Sequence, residues 1–406
     1  MVVNLYKNIV GATVLSLAAG TAAFSDSPGA VVPASVVTLA VAAACAYSFT
    51  LIARSCELTG TDTFRGAWVK TLGAKSAWII SAANTLMAGA GCLQYVVVLT
   101  DAGTSLAAAA GAPPLLASRS VVLLSIMGLV LLPLSFLESC KQLQYTSAFG
   151  IAGVLYYIAA MVLRFAQGAY APGGALHRAI APALRPSFGA TGGSFWSPKA
   201  LVLVSMLNTA YVCHYNAPKF YRELEARSIP RFAVLACLGF GLSGLLYVVG
   251  LSASFLTFGG HSAGFIFNNY AASDTLFVIA RVMVSFVMLC TYPLLFVAFR
   301  DGASELLPKE GQGQGPQLSR SRLTFALVGV LAACALAIKD VSVIVSVPGA
   351  LIGSAIVYVF PNLVFLRATR GARGRGLERA LCRGLVALGA LFASLGTGSS
   401  LGLFGA

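Results

Sequence analysis

Residues 4–20 read NLYKNIVGATVLSLAAG. The stretch is apolar enough to enter a bilayer, yet it carries Asn4, Lys7, Asn8, Thr13 and Ser16, with Gly11 in its middle. A helix that only had to span lipid has no use for these residues. A discontinuous helix that holds a polar solute halfway across does use them, because interrupted backbone survives at that depth only where it lines a cavity. A secretory signal is the competing reading, with Lys7 as its basic region and 21–23 as a weak cleavage site. The polar residues inside the apolar run speak against it. Met1 lies almost at this span, so a cytoplasmic tail is either absent or outside this sequence.

The rest of the chain has the same character. Of its 406 residues 58% are hydrophobic and 10% charged, and the mean hydropathy is +0.85. A soluble domain carries about 25% charge, so there is too little polar surface here to coat a water-soluble body. The composition demands a polytopic, all-α integral membrane protein embedded in a lipid bilayer. The net charge of +14 does not indicate nucleic acid, because the basic residues sit in loops between apolar segments. The nine cysteines form no CxxC pair and read as small apolar residues within helices. No nucleophile–base set, P-loop or metal-ligand spacing is present, which argues against an enzyme and against a bound cofactor. Oligomeric state is left unassigned.

Apolar runs of bilayer length mark eleven spans, at about 4–24, 30–53, 77–100, 120–137, 146–166, 199–217, 232–256, 274–298, 323–338, 342–366 and 380–403. With the N-terminus cytoplasmic, 20 of the 27 Lys and Arg fall in inside segments and 6 outside, Arg281 lying within a span. That asymmetry favours N-terminus in and C-terminus out. The Gly/Pro/Ala-rich connection 167–198 reads as a cover over the outer mouth, and 301–319 as a flexible cytoplasmic linker.

Eleven spans divide into five, five and one: a first repeat over about 4–166, a second over about 199–366, and an extra helix at about 380–403. Inverted-repeat transporters build their site from the first helix of each half. Here those are the first and sixth spans, and both look broken. The first holds NIVGAT at 8–13; the sixth holds Asn208, Thr209 and Tyr211, then CHYNAP at 213–218. N–H groups freed at a half-helix start bind a carboxylate, and freed carbonyls bind an ammonium or a cation. An amino acid zwitterion needs both. The bland alternative is two helices with glycine packing faces and incidental polar residues.

Other spans add candidates. In the third, Asn84, Ala88, Gly91 and Tyr95 share one face; the first three suit a close helix–helix contact, and Tyr95 could line a cavity. In the eighth, Arg281 lies two turns from Asp274 on the same face, and a structural ion pair is favoured over a gating role. Ser285 and Thr291 could offer hydroxyl ligands to a small cation, or bond back to their own helix. His214 could move a proton, but a hydrogen-bonded histidine at the cytoplasmic end of its span is favoured.

At this point the residues resemble a known family. NLYKNIVGATVLSL at 4–17, VCHYNAPKFYRELE at 212–225, the region 268–300 and the region 340–367 together resemble the amino acid/auxin permeases, which include sodium-coupled neutral amino acid transporters; GAGCLQYVVVLTD at 89–101 is a weaker match. The resemblance implies a LeuT-type core of five-plus-five inverted repeats with one added helix. It implies secondary active amino acid transport by alternating access, coupled to Na⁺ or H⁺. By position, Gly11, Ala12 and Thr13 would offer backbone groups to the substrate carboxylate, Asn208 and Thr209 would sit at the sixth-helix break, and Tyr95 and Tyr211 would face the substrate side chain. Thr291 would match a threonine before the eighth-helix proline, near the sodium site of sodium-coupled members. Those sodium-coupled members carry an asparagine four residues before the first-helix glycine; this chain has Lys7, with Asn8 beside it, and Leu289 replaces a second threonine. A lysine ammonium could stand where sodium binds, or it could snorkel to the cytoplasmic surface.

The expectation is therefore transport of neutral amino acids that is proton-coupled or facilitative, in a plasma or a vacuolar/lysosomal membrane. The alternatives are a sodium-coupled symporter and a membrane amino acid sensor that signals to cytoplasmic partners.

Overall fold

A computed structural model of the chain describes residues 1–137, 146–189, 197–307, 319–371 and 375–403. Cys140, Lys141, Lys309 and Arg373 lie outside them. The described residues are overwhelmingly helical, with β pairing limited to an isolated bridge between Ser187 and Gly259.

The first span is broken. Helix α1 (Val2–Ile9) gives way to extended backbone at Val10 and Gly11, then to a 3₁₀ turn over Ala12–Ser16 and to α2 (Leu17–Ala22). The two parts are bent by 43°. Helix α3 (Val31–Thr59) is stopped by Gly60, whose φ of 59° is strained for a side chain and whose N–H closes on the carbonyls of Cys56 and Glu57. Thr63 caps the short α4 (Phe64–Leu72), and α5 (Trp78–Ala109) follows. Then α6 (Arg119–Ser125) and α7 (Leu132–Ser135) join through a π-helical turn, ahead of α8 (Thr146–Ala166).

The second half opens like the first. Helix α9 (Ala200–Tyr211) ends in extended backbone at Val212, and a 3₁₀ turn over His214–Asn216 leads into α10 (Ala217–Arg222). Next come α11 (Ile229–Phe258), α12 (Thr275–Leu306), whose first turn Asp274 caps, and α13 (Arg320–Ala337). Helices α14 (Val341–Pro348) and α15 (Phe360–Ala368) are joined by wide π-helical turns, and α16 (Gly376–Ser400) follows.

Among the described residues eight helices are long and apolar enough to cross a membrane, or nine with the bent first pair. The eleven segments expected are all helical, but two fall short of that test. Arg119–Ser135 is a shorter apolar helix, and α9 has only 12 residues before its break. The lengths of others were underestimated: α5 continues to Ala109 and α12 to Leu306, so the start of the expected 301–319 linker is helical.

Large apolar side chains such as Val36, Leu129, Leu242, Leu245 and Val282 are exposed. In water so large an apolar exterior would be a liability. With several apolar helices of bilayer length it is the lipid-facing surface of a multi-pass membrane protein.

The core is built by helix pairs. Helix α3 packs on α11, α5 on α12, and α2 on α9. Counted over the eleven segments expected from the sequence, each pair joins two segments five apart. The cross-pairs match too: α1 lies against α11 as α9 lies against α3, and α8 contacts α12 as α14 contacts α5. Small residues set the closest approaches. A Cβ at Gly349 would collide with the Ser205 carbonyl, so α9 meets the 341–368 helix backbone to backbone.

Candidate functional site

The two interruptions face each other. At the first, Val10 adopts φ −77°, ψ 112° and Gly11 φ −133°, ψ −165°. Neither conformation requires glycine. What distinguishes Gly11 is space: a Cβ built there meets nothing within 4 Å. At the second, Val212 adopts φ −69°, ψ 108°. Each break strips hydrogen bonds from backbone groups inside the bundle, and such groups must find partners.

Tyr247 on α11 supplies one. Its fully buried hydroxyl lies 3.0 Å from the Ile9 carbonyl and 3.1 Å from the Ala210 carbonyl, one residue or two before each break. A second tie runs from the Asn216 Nδ2 donor to Asn8 Oδ1 at 3.1 Å. Neither Tyr247 nor Asn216 was singled out from sequence. A lone tyrosine in an apolar span gives no periodic signal, although it is the kind of residue that must find a partner when buried.

On the other side of the first break, the Thr13 hydroxyl donates to Gln94 Oε1 of α5 at 3.4 Å. Both side chains are buried. The Gln94 Nε2 donor has no hydrogen-bond partner, and neither has the buried Ser16 Oγ. Gln94 was also missed; an amide at the centre of an apolar helix was the available signal. One residue on, Tyr95 accepts a 3.4 Å bond from Thr291 of α12. Thr291 also donates back to the Val287 carbonyl at 2.8 Å, and Ser285 lies half-buried on the same helix. One turn earlier on the same face of α5, Gly91 takes Leu295 of α12 at a distance only a glycine accepts comfortably. Ala12 is half-buried beside the first break. Lys7 stands in the last turn of α1, half-buried, where its charge complements the helix C-terminus.

Four expectations are corrected. The sixth-helix break does not fall at Asn208 and Thr209; both remain inside α9. Asn208 is held by the 341–368 helix, donating to Ser354 Oγ at 2.9 Å and accepting from Tyr358 at 3.1 Å. The Thr209 hydroxyl likewise donates to the Val345 carbonyl at 2.7 Å. Tyr211 is fully buried, with its hydroxyl on the Thr38 carbonyl and its ring against Tyr247. These three side chains fasten α9 to its neighbours.

The fourth correction concerns the eighth span. Asp274 and Arg281 are not partners. Asp274 sits at the very start of α12, where its carboxylate caps Leu276 N, takes a two-bond contact from Arg164 of α8 at 2.6 and 2.9 Å, and accepts from Tyr170 at 2.8 Å. Arg281 instead reaches the carbonyls of Phe267, Tyr270 and Ala271 at 2.6, 2.7 and 3.4 Å. His214 bonds through Nε2 to Ser48 Oγ at 2.8 Å, buried against Phe49 and Phe240. That is the hydrogen-bonded arrangement favoured from sequence.

The arrangement brings opened backbone from two broken helices together with Thr13, Gln94, Tyr95 and Thr291. It holds donors and acceptors but no carboxylate–base pair. Among the described residues no cluster of His, Cys, Asp and Glu could hold a metal.

Comparison with known proteins matches residues 1–398 to the family described as transmembrane amino acid transporter protein. A Danio rerio protein, provisionally named sodium-coupled neutral amino acid transporter 11, is 24% identical over 92% of this chain and 80% of its own length. Vacuolar amino acid transporter 2 of Saccharomyces cerevisiae is 22% identical over 90% of this chain and 75% of its own. Solute carrier family 38 member 8 of Mus musculus is 26% identical over 63% and 58%. These relatives are transporters, not enzymes. The chain belongs to the transmembrane amino acid transporter family, the amino acid/auxin permeases.

Proposed function

We propose that the chain carries a neutral amino acid across its membrane by alternating access, with the substrate held between the two broken helices. Family membership makes amino acids the cargo class. The observation that carries the location is the shared hydroxyl of Tyr247, which draws the residues preceding both breaks, Ile9 and Ala210, to one point. An α-carboxylate there would meet N–H groups of the Gly11–Thr13 turn, and an α-ammonium the carbonyls released at the breaks. Gln94 and Tyr95 would complete the wall from α5, and Thr291 from α12. The backbone does the binding, and its charge complementarity suits the zwitterionic core common to all amino acids. With no carboxylate or guanidinium named at this point, a neutral side chain is the preferred cargo.

The pairing of the first three spans with the spans five later supports a five-plus-five inverted repeat followed by α16, with eleven spans in all. In that reading the N-terminus is cytoplasmic, on the Lys and Arg distribution. The half-helices α1 and α10 then flank the inner side, and rocking of one helix set against the other opens each gate in turn. Lys7 supports sodium-independent transport, driven by protons or running downhill, because an ammonium in α1 stands where the family's sodium-coupled members place an asparagine. The membrane is a plasma or a vacuolar one.

Uptake of a panel of amino acids into proteoliposomes, under separately imposed pH and Na⁺ gradients, tests this. Concentrative uptake of neutral amino acids with a pH gradient, or equilibrating uptake with none, is the expected result. Strict dependence on a Na⁺ gradient would overturn the coupling assignment, and saturable binding without flux would point to a sensor.

A further inference from the structure

A second polar site lies away from the breaks, at the end of the bundle where residues 179–184 of the connection after α8 sit. A cavity of about 400 Å³ opens there between the last turns of α5, the start of α6 and the segment preceding α12, and Ala179–Ala181 of the connection form part of its wall. Its charged lining consists of Asp101, Arg119 and Arg281. Asp101 is already engaged, accepting from Arg119 Nε at 3.3 Å and from Asn268 Nδ2 at 3.1 Å. Arg281 is 1% exposed. Among the described residues no carboxylate lies within ion-pair distance of it, and its partners are the three backbone carbonyls named above. Two N–H-bearing atoms remain without a protein partner: Arg281 Nε and Arg119 Nη2, both buried.

Arg119 thus has Asp101 as its counter-charge, while Arg281 has no carboxylate at ion-pair distance among the described residues. A buried guanidinium without a counter-charge is costly, and carbonyl dipoles compensate it only in part. The missing element is one negative charge with planar acceptor geometry, which a guanidinium binds in preference to a spherical ion. We propose that this cavity binds the carboxylate of a small organic solute through Arg281 and Arg119. The volume suits a molecule of amino acid size. The site also lies on the same two helices as the Tyr95–Thr291 contact: Asp101 is about 9 Å beyond Tyr95 along α5, and Arg281 about 15 Å from Thr291 along α12, at ~1.5 Å per residue.

The test is equilibrium binding of acetate to the purified full chain, followed by thermal unfolding, with chloride at equal ionic strength as the comparison. It is run in wild type, Gly11→Val, Arg119→Gln and Arg281→Gln. Acetate is expected to protect wild type and Gly11→Val alike, and to bind about tenfold or more weakly in either arginine variant, the loss of one charge-assisted contact. Arg119→Gln leaves α12 untouched and covers the case in which Arg281→Gln does not fold. Equal protection by chloride overturns the carboxylate assignment. Protection that survives Arg119→Gln but vanishes in Gly11→Val places the carboxylate at the breaks instead, and this site is then refuted.

Discussion

Arg164 and Asp274, separated by 110 residues, meet through two hydrogen bonds at the loop-covered end of the bundle. Side-chain exposure is 20% for the arginine and nil for the aspartate. Because the carboxylate also caps α12 and receives Tyr170, removing it strands four donor atoms on three residues at once. Asp274→Ala should destabilise the folded protein by roughly 3 kcal/mol, read by thermal unfolding in detergent. A double-mutant cycle with Arg164→Ala should give a coupling of about 1–3 kcal/mol, and one with Arg281→Gln well under that. Equal couplings would mean that the two arginines share the aspartate.

Gly11 separates folding from function. A valine there has an ordinary φ and open space around its Cβ, so Gly11→Val should reach the membrane in normal amounts while losing amino acid uptake. Gly349→Val is the contrast: its side chain would strike the Ser205 carbonyl, and that variant should fail at the level of folded protein, seen by gel-filtration profile. Normal uptake with unchanged KM in Gly11→Val would move the site elsewhere.

Asn208 should behave as a fastener. Asn208→Ala leaves Ser354 and Tyr358 without their partner, a loss of about 1–3 kcal/mol. The surviving protein should show the wild-type KM. A large rise in KM with unaltered stability would restore Asn208 to the substrate site.

Lys7 bears on the driving ion. Wild-type uptake should persist when choline replaces Na⁺. Lys7→Asn places the amide of the sodium-coupled relatives at that position, and should introduce stimulation by Na⁺. If uptake by wild type collapses in choline, the lysine does not stand in for the ion.

Tyr247→Phe removes the hydroxyl common to both breaks and nothing else. Stability should fall by about 1–2 kcal/mol, and the larger effect should be on turnover, measured as a drop in maximal uptake rate with little change in the amount of protein at the membrane. Unchanged kinetics would make Tyr247 a packing residue.

How much of this was legible follows from what each residue needs. The first break was readable because Gly11 and its polar neighbours sit inside an apolar run. The run 213–218 announced the second for the same reason, although the break itself falls at Val212. Side-chain direction was not readable. Asn208, Thr209 and Tyr211 all looked available, yet each turns to a partner from another helix, Ser354, Val345 or Thr38, and no local pattern records which helices become neighbours. Spacing misled at Asp274 and Arg281, because two turns on one face allow a contact that the helix start and Arg164 pre-empt. Tyr247 and Gln94 stood among several polar residues in long, mostly apolar helices, so their importance emerged only when the two breaks were brought against them.

The Tyr247 hydroxyl owns one proton and serves two carbonyls. It can satisfy Ile9 or Ala210 fully, but not both at the same moment. In the proposed alternating-access cycle, a half-helix that swings away would leave the proton with the other, and no donor would be stranded in the low-dielectric interior. The departing carbonyl surrenders only a shared bond. In that cycle such a joint would act as a clutch: it would keep the two chain breaks in register at rest and let either one disengage at the cost of a shared bond.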